Sequence, residues 1–162
     1  MGAETRTPRF RQATAEDMSF LKKMCFLAFY PDRSLEASSE AYDEAAKSEP
    51  LLSPYLDGFG RAGDFGFIAV DSETGADIGA IWRRRFGEKN ELSIAVDVGA
   101  QGSGVGERLM RELLAQAPED GVTELELWVR HDNTRAQSLY QKVGFVASAE
   151  LHDVYQVMTI RL

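Results

Sequence analysis

The residues best suited to bind a charged ligand form a glycine-rich stretch in the middle of the chain, residues 101–106 (QGSGVG). The alternating residues 91–98 before it predict a strand, and Val105, Leu109 and Leu113 recur at helical spacing after it. Glycines at the start of a helix let a ligand approach the backbone, where free N–H groups and the positive end of the helix dipole meet. The stretch therefore predicts a phosphate-binding turn, and a turn that serves only chain geometry is the alternative.

A second pattern follows one predicted helix and one predicted strand later, in residues 133–145 (NTRAQSLYQKVGF). Residues 101–106 fit neither a nucleotide P-loop, because no lysine follows the glycines, nor a dinucleotide fingerprint, which lies early in a chain. Together, the two patterns resemble those of the GNAT superfamily of N-acetyltransferases, in which the glycine turn holds the pyrophosphate of coenzyme A. The resemblance is close in the C-terminal half of the chain, and in the N-terminal half it extends only to the order of elements.

The resemblance implies that acetyl-CoA is the co-substrate. No metal is expected, because His131 and His152 have no cysteine partners and make a poor zinc site. In this family the strand before the glycine turn and the next strand splay apart to admit the pantetheine arm of CoA, and the turn binds its phosphates. Many members begin the turn with an arginine, whereas this chain has Gln101, so phosphate binding must depend more on backbone groups. The residues implied to bind the cofactor are Ile94, Ala95, Val96, Val98, Gln101, Gly102, Ser103, Gly104, Val105, Gly106, Asn133 and Tyr140.

The resemblance also suggests an acid and a base for acyl transfer. Tyr140 is the candidate general acid, because a phenol with a pKa of about 10 can protonate a thiolate whose conjugate acid has a pKa of about 8.5. Glu91 is the candidate general base for the acceptor ammonium. The alternatives are a buried Tyr140 whose hydroxyl bonds to backbone and an exposed Glu91 at a strand end. Asn133 can orient the CoA arm, cap its helix, or do both, and Trp128 stands where some members carry a glutamate base.

The acceptor is expected to be a small-molecule amine or the amine of a peptide or protein. The candidate walls of its pocket are the aromatic residues Tyr30, Tyr55, Phe59, Trp82 and Phe86. Strand alternation places Arg84 on the same face as Trp82, where it could bind a carboxylate of the acceptor. A solvated edge strand, which basic residues commonly protect, is the alternative for this arginine.

The order of elements predicts an α+β fold. A strand at 9–13 and helices at 16–29 and 35–47 precede three strands that are expected to be antiparallel neighbours, at 65–70, 78–86 and 91–98. The helix after the glycine turn, a strand at 122–130, a helix at 133–143 and two final strands follow. We therefore expect a GNAT-like, mostly antiparallel sheet of six or seven strands flanked by helices in three layers.

Composition sets limits on the class of protein. The chain has 162 residues, 44% of them hydrophobic, and a net charge of -8, which predicts one soluble domain over 1–162 and disfavours nucleic-acid binding. No apolar run is long enough to cross a membrane, and Glu4 and Arg6 argue against a signal peptide, so a cytoplasmic protein without membrane partners is expected. The single cysteine, Cys25, lies among apolar residues and is expected to be packed. The oligomeric state is left open, and a homodimer is one option.

Two classes of function fit these observations. The first is an acetyl-CoA-dependent N-acetyltransferase that works by direct attack in a ternary complex. The second is a catalytically silent acyl-CoA-binding module that senses or regulates. The presence of both Tyr140 and Glu91 favours the enzyme, because a module that only binds acyl-CoA needs no more than the turn and the splayed strands.

Overall fold

A seven-stranded sheet forms the centre of the computed structural model, which describes residues 7–162. The strand order is β1-β2-β3-β4-β5-β7-β6, and every neighbouring pair is antiparallel except β4 and β5. The predicted α+β class and the mostly antiparallel sheet are confirmed. The strands are β1 (Pro8–Gln12), β2 (Phe65–Asp71), β3 (Asp77–Phe86), β4 (Lys89–Val96), β5 (Glu124–Arg130), β6 (Val146–His152) and β7 (Tyr155–Arg161).

Helices cover both faces of the sheet and divide the core into two clusters. One cluster joins the first two helices to residues such as Ile68 and Trp82, which project from one face. The other joins the third and fourth helices to residues such as Ile81 and Leu127, which project from the opposite face. The three predicted layers are therefore present. The helices are α1 (Met18–Phe29), α2 (Ser39–Ala46), α3 (Val105–Gln116) and α4 (Thr134–Val143).

The parallel neighbours β4 and β5 are paired over a very short length. Among the described residues, one pair is in register between them, Glu91 with Glu126. On their other sides, β4 pairs with β3 as far as Val96 and β5 pairs with β7 along its whole length. The sheet therefore divides beyond Glu91, and one backbone edge of β4 is left without a strand partner.

Two of the wrongly predicted boundaries have a clear local cause. The strand expected to reach Val98 ends at Val96, because the Asp97 carboxylate accepts the Val98 N–H at 3.1 Å and starts a short 3-10 turn. The helix expected from residue 35 begins at Ser39, because the Ser38 hydroxyl accepts the Ala41 N–H at 3.0 Å and caps it there. In both places a polar side chain bonded to the backbone decides the boundary.

The described residues bear on the expectations for Cys25, for membrane-spanning helices and for metal binding. Cys25 is buried in the core, as expected. No helix within residues 7–162 is long and apolar enough to cross a membrane. The same residues contain no group of three or more His, Cys, Asp or Glu side chains that could hold a metal ion. Glu4 and Arg6, which argued against a signal peptide, lie outside the described residues.

A buried ion pair fastens the loop before β2 to β3. Arg84 donates from Nε and Nη2 to the two oxygens of Asp64 at 3.0 and 3.1 Å, and from Nη1 to the Pro54 carbonyl at 3.0 Å. The two side chains are 1% and 3% exposed. The prediction that Arg84 binds an acceptor carboxylate is therefore wrong, because its three nitrogens are engaged inside the protein.

Replacing Asp64 with alanine should lower the free energy of unfolding by about 3 to 5 kcal/mol, because it leaves the buried Arg84 guanidinium without its counter-charge. Denaturant titration measures the change. Asp57→Ala, an exposed aspartate of the same loop, is the control and should cost less than about 0.5 kcal/mol. Equal effects of the two substitutions would contradict the structural role of the pair.

Candidate active site

A cavity of about 370 Å³ opens where β4 and β5 separate. Residues of α1 and of the loop that follows α2 line one end, and α4 lines the other. The structure thus brings together the candidate acid, the candidate base and half of the residues predicted for the cofactor. The predicted site residues that line the cavity are Glu91, Ile94, Ala95, Val96, Gln101, Asn133 and Tyr140.

The glycine turn has the geometry of an anion site at one end of this cavity. Gly102 and Gly104 have φ angles of 80° and 86°, a conformation that favours glycine, and Gly104 is the residue that precedes α3. The N–H of Arg108 bonds to the Gly104 carbonyl at 3.2 Å, so the helical N–H groups before it point out of the helix end. The Val105 side chain is buried in the core and the Ser103 hydroxyl donates to the Ala100 carbonyl. A ligand at the turn would therefore meet the backbone of both residues and not their side chains.

Two other predicted cofactor residues are placed differently from the expectation. Val98 lies outside β4, is 41% exposed and does not line the cavity, so its assignment to the pantetheine-binding strand is wrong. Gln101 lines the cavity, but its Nε2 donates to the Val96 carbonyl at 3.0 Å. That amide joins the turn to the end of β4.

Arg135 supplies the positive charge that Gln101 lacks, and sequence reasoning missed it. A Cβ atom added to Gly102 would lie 3.5 Å from Arg135 Nη2, so the guanidinium is beside the turn. Within residues 7–162 this guanidinium has no ion pair. The sequence feature that could have indicated Arg135 is its position in the second pattern, residues 133–145, one residue before Ala136 on the first turn of α4.

Tyr140 lines the cavity from α4, with its ring 6.2 Å from that of Phe145. Its hydroxyl makes no hydrogen bond to another described residue, which contradicts the alternative in which it bonds to the backbone. Burial raises the pKa of Tyr140 to about 12. The side chain therefore stays a neutral phenol, with its proton available to a group in the cavity.

Asn133 caps its helix, which is one of the two roles expected of it. Its Oδ1 accepts the Ala136 N–H at 3.2 Å, which caps α4. The same residue lines the cavity. The cap fixes the orientation of the side chain and leaves its Nδ2 group without a partner among the described residues.

Glu91 lies on the wall of the cavity and is half-buried, so the alternative of an exposed strand-end glutamate is wrong. Burial raises the pKa of its carboxyl to about 7, and the nearby Glu126 adds to this rise. The Tyr55 hydroxyl and Lys89 act in the opposite direction. A carboxyl with this pKa can exchange a proton near neutral pH.

Glu126 is the second residue that sequence reasoning missed. It is 7% exposed and in register with Glu91 across the two strands. Trp128 Nε1 donates to its Oε1 at 2.9 Å, and Lys89 Nζ lies 3.5 Å from its Oε2. The sequence feature that could have indicated Glu126 is its position two residues before Trp128, which places both side chains on the same face of β5.

The predicted acceptor residues Tyr30, Trp82 and Arg84 do not line the part of the cavity formed by residues 7–162. Trp82 is 1% exposed and donates from Nε1 to the Tyr55 carbonyl at 3.0 Å, so it packs in the core. Tyr30 lies against the Phe26 ring and the Arg33 guanidinium. Of the other predicted wall residues, Tyr55 and Phe86 do line the cavity, and Phe59 is not among the described residues that line it. The remaining aromatic residues on its wall are Phe29, Trp128, Tyr140 and Tyr155.

The sequence matches the family model described as Acetyltransferase (GNAT) family over residues 26–145, which is more than half of the chain. It is 35% identical over 86 residues to a mycothiol acetyltransferase of Mycolicibacterium gilvum, a match that covers 49% of this chain and 28% of that protein. It is 53% identical over 53 residues to the N-alpha-acetyltransferase RimI of Mycobacterium tuberculosis, covering 33% of this chain and 32% of that one. The chain thus spans about a third or less of the length of these two relatives.

Solved structures share the fold at low sequence identity. The PaiA N-acetyltransferase of Thermoplasma acidophilum, solved in complex with coenzyme A, has a TM-score of 0.71 at 19% identity, covering 96% of this chain and 99% of that one. The spermidine/spermine N-acetyltransferase SpeG of Vibrio cholerae, solved in mutant form, has a TM-score of 0.67 at 17% identity, covering 95% and 93%. At these identities the likeness establishes the fold alone.

Replacing Glu126 with glutamine should lower the pKa of Glu91 from about 7, because it removes the negative charge beside that carboxyl. The pKa should stay above the ordinary value, since burial is the larger cause. A ¹³C NMR titration of the Glu91 carboxyl measures this without any substrate. Glu124→Gln, an exposed glutamate on the same strand, should leave the midpoint unchanged. An unchanged midpoint in Glu126→Gln would show that the two carboxyls are not coupled.

Proposed function

Because the chain belongs to the GNAT acetyltransferase family, we propose that it transfers an acetyl group from acetyl-CoA to an amine by direct attack in a ternary complex. The observation that carries this proposal is the cavity between β4 and β5, which has Tyr140 on one wall and Glu91 on another. An acid and a base that share a cavity with an anion-binding turn suit a reaction that moves protons on both the acceptor and the leaving group.

The residues at the glycine turn fit the diphosphate of coenzyme A. The N-terminal N–H groups of α3 and the helix dipole favour a negative charge there. The Arg135 guanidinium beside Gly102 can form charge-assisted hydrogen bonds to phosphate oxygens. The unpaired edge of β4 offers backbone groups to the amides of the pantetheine arm. Acetyl-CoA supplies the activated acyl group.

Glu91 acts as the base in this proposal. Its carboxylate takes a proton from the acceptor ammonium, and the free amine then forms the new C–N bond. At a pKa of about 7, Glu91 is mostly protonated below neutral pH and cannot do this. The ascending limb of kcat/KM should therefore reflect the titration of this residue.

Tyr140 acts as the acid. As the C–S bond breaks, its hydroxyl donates a hydrogen bond and then its proton to the departing sulfur. Its pKa of about 12 lies above that of a thiol, about 8.5, so proton donation must accompany bond cleavage. The tyrosinate then takes the second proton of the acceptor nitrogen, which restores the neutral phenol and leaves a neutral amide and a free thiol.

A thiol-release assay with acetyl-CoA and a panel of amines tests the proposal. The panel should span amino acids, peptides, polyamines, aminoglycosides and simple alkyl and aryl amines. Amine-dependent thiol release with formation of the acetylated amine supports a transferase. A melting temperature that rises with acetyl-CoA, without turnover of any amine, would support the silent acyl-CoA-binding module instead.

Replacing Tyr140 with phenylalanine should lower kcat by about 100-fold or more, because the departing sulfur loses its proton donor. The Kd for CoA should change little, since the ring and its packing remain. Steady-state kinetics and calorimetry measure the two quantities. Tyr42→Phe removes a hydroxyl that is buried without a partner among the described residues and is the matched control. Equal loss of kcat and of CoA affinity, or no loss, would refute the acid role.

Replacing Arg135 with glutamine should raise the Kd for CoA by about tenfold or more, because charge-assisted hydrogen bonds to phosphate are lost. Binding of pantetheine, which has no diphosphate, should not change. Calorimetry with both ligands measures the difference, and Arg161→Gln at an exposed chain end is the control. An unchanged Kd for CoA would place Arg135 outside the phosphate site.

A further inference from the structure

The charge and shape of the acceptor end of the cavity identify a class of amine. We propose that the acceptor carries an aromatic or similarly flat apolar group next to its amino group, and neither a carboxylate nor a second ammonium beside it. This inference rests on the proposed acetyl transfer to an amine, and it narrows the class of amines that the site is expected to accept.

The first argument is the set of charges on the wall. Among the residues that the structure describes, Glu91 is the one Asp or Glu on the cavity wall, and no Lys, Arg or His lines it. Arg84, the cation expected to bind a carboxylate, is held by Asp64 and Pro54 in the core. A carboxylate on the acceptor would enter without a counter-charge and beside Glu91, which is unfavourable.

The same wall disfavours an acceptor with a second ammonium. Glu126, the acid nearest to Glu91 on the next strand, does not line the cavity. Its oxygens already interact with Trp128 Nε1 and Lys89 Nζ. A second ammonium would therefore have no carboxylate of its own inside the cavity.

The second argument is the aromatic wall that lies in the same cavity as Glu91 and consists of two groups of rings. The rings of Phe29 and Tyr55 meet edge to face at 5.3 Å, and those of Tyr55 and Phe86 at 5.9 Å. Trp128 lies 6.1 Å from Tyr155, and both also line the cavity. Aromatic rings favour edge-to-face or offset contacts with another ring.

Tyr55 sets the distance between the charge and the aromatic wall. Its ring belongs to the wall, and its hydroxyl interacts with the Glu91 carboxyl. An ammonium held by Glu91 therefore has aromatic surface within the length of one side chain. The cavity of about 370 Å³ must also admit the acyl end of the co-substrate, so the acceptor group bound inside it is small.

The test compares acceptors that differ in one feature. With acetyl-CoA, kcat/KM for 2-phenylethylamine should exceed that for L-phenylalanine and for spermidine by about tenfold or more, because a buried group without a partner is strongly rejected. L-Phenylalanine amide has the size of phenylalanine without its carboxylate and should recover most of the loss. A peptide with N-terminal phenylalanine and an amidated C-terminus shows whether the aromatic amine is a free molecule or a chain end.

A variant tests the wall itself. Phe86→Leu should lower the ratio of kcat/KM for 2-phenylethylamine to that for ethylamine, since the smaller amine does not reach the ring. A preference for spermidine or L-phenylalanine would overturn this inference and leave acetyl transfer to amines standing. Silence with every amine would overturn the proposed function, and this inference with it.

Discussion

The site depends on one interruption in the backbone hydrogen bonding of the sheet. β4 and β5 share a single registered pair, Glu91 with Glu126. Beyond that pair the two strands no longer form backbone hydrogen bonds with each other, and buried backbone N–H and C=O groups need other partners. An extended ligand with amide groups can supply those partners along the edge of β4. The same gap places residues from both faces of the sheet around one cavity, which a continuous sheet would separate.

Both walls of this gap are fixed by interactions that lie outside it. On the side of α1 and α2, the buried pair of Arg84 with Asp64 holds the loop that carries Pro54 and Tyr55 against β3. On the other side, the cap formed by Asn133 starts α4 and so sets the position of Tyr140. The Gln101 amide joins the glycine turn to the last residue of β4. The cavity is therefore held by polar contacts as well as by the two apolar cores.

The fold and the position of the glycine turn before α3 could be predicted because they depend on local sequence. Glycine spacing, helical periodicity and the position of Asn133 are short-range signals. Strand alternation and the turns between the strands predicted that β2, β3 and β4 are antiparallel neighbours, as they are. The acceptor end was predicted less well, although Tyr55 and Phe86 do line the cavity as expected. Periodicity placed Trp82 and Arg84 on one face of β3 correctly, but it carries no information on Asp64, which neutralises Arg84 from a distant loop. Arg135 and Glu126 were missed because their importance arises from neighbours on other elements.

The raised pKa of Glu91 also affects the stability of the protein as pH changes. In the unfolded chain this carboxyl titrates near 4.3, whereas in the folded protein it titrates at about 7. The folded state therefore binds more protons than the unfolded state between these values, and the contribution of this group to stability falls as pH rises through that window. Burial disfavours the ionised form of Glu91, the residue proposed to deprotonate the acceptor. This preference for the protonated form makes the folded protein less stable when the carboxyl is ionised. A cation bound beside the carboxylate would reverse that preference, so occupancy by an amine and folding stability are thermodynamically linked.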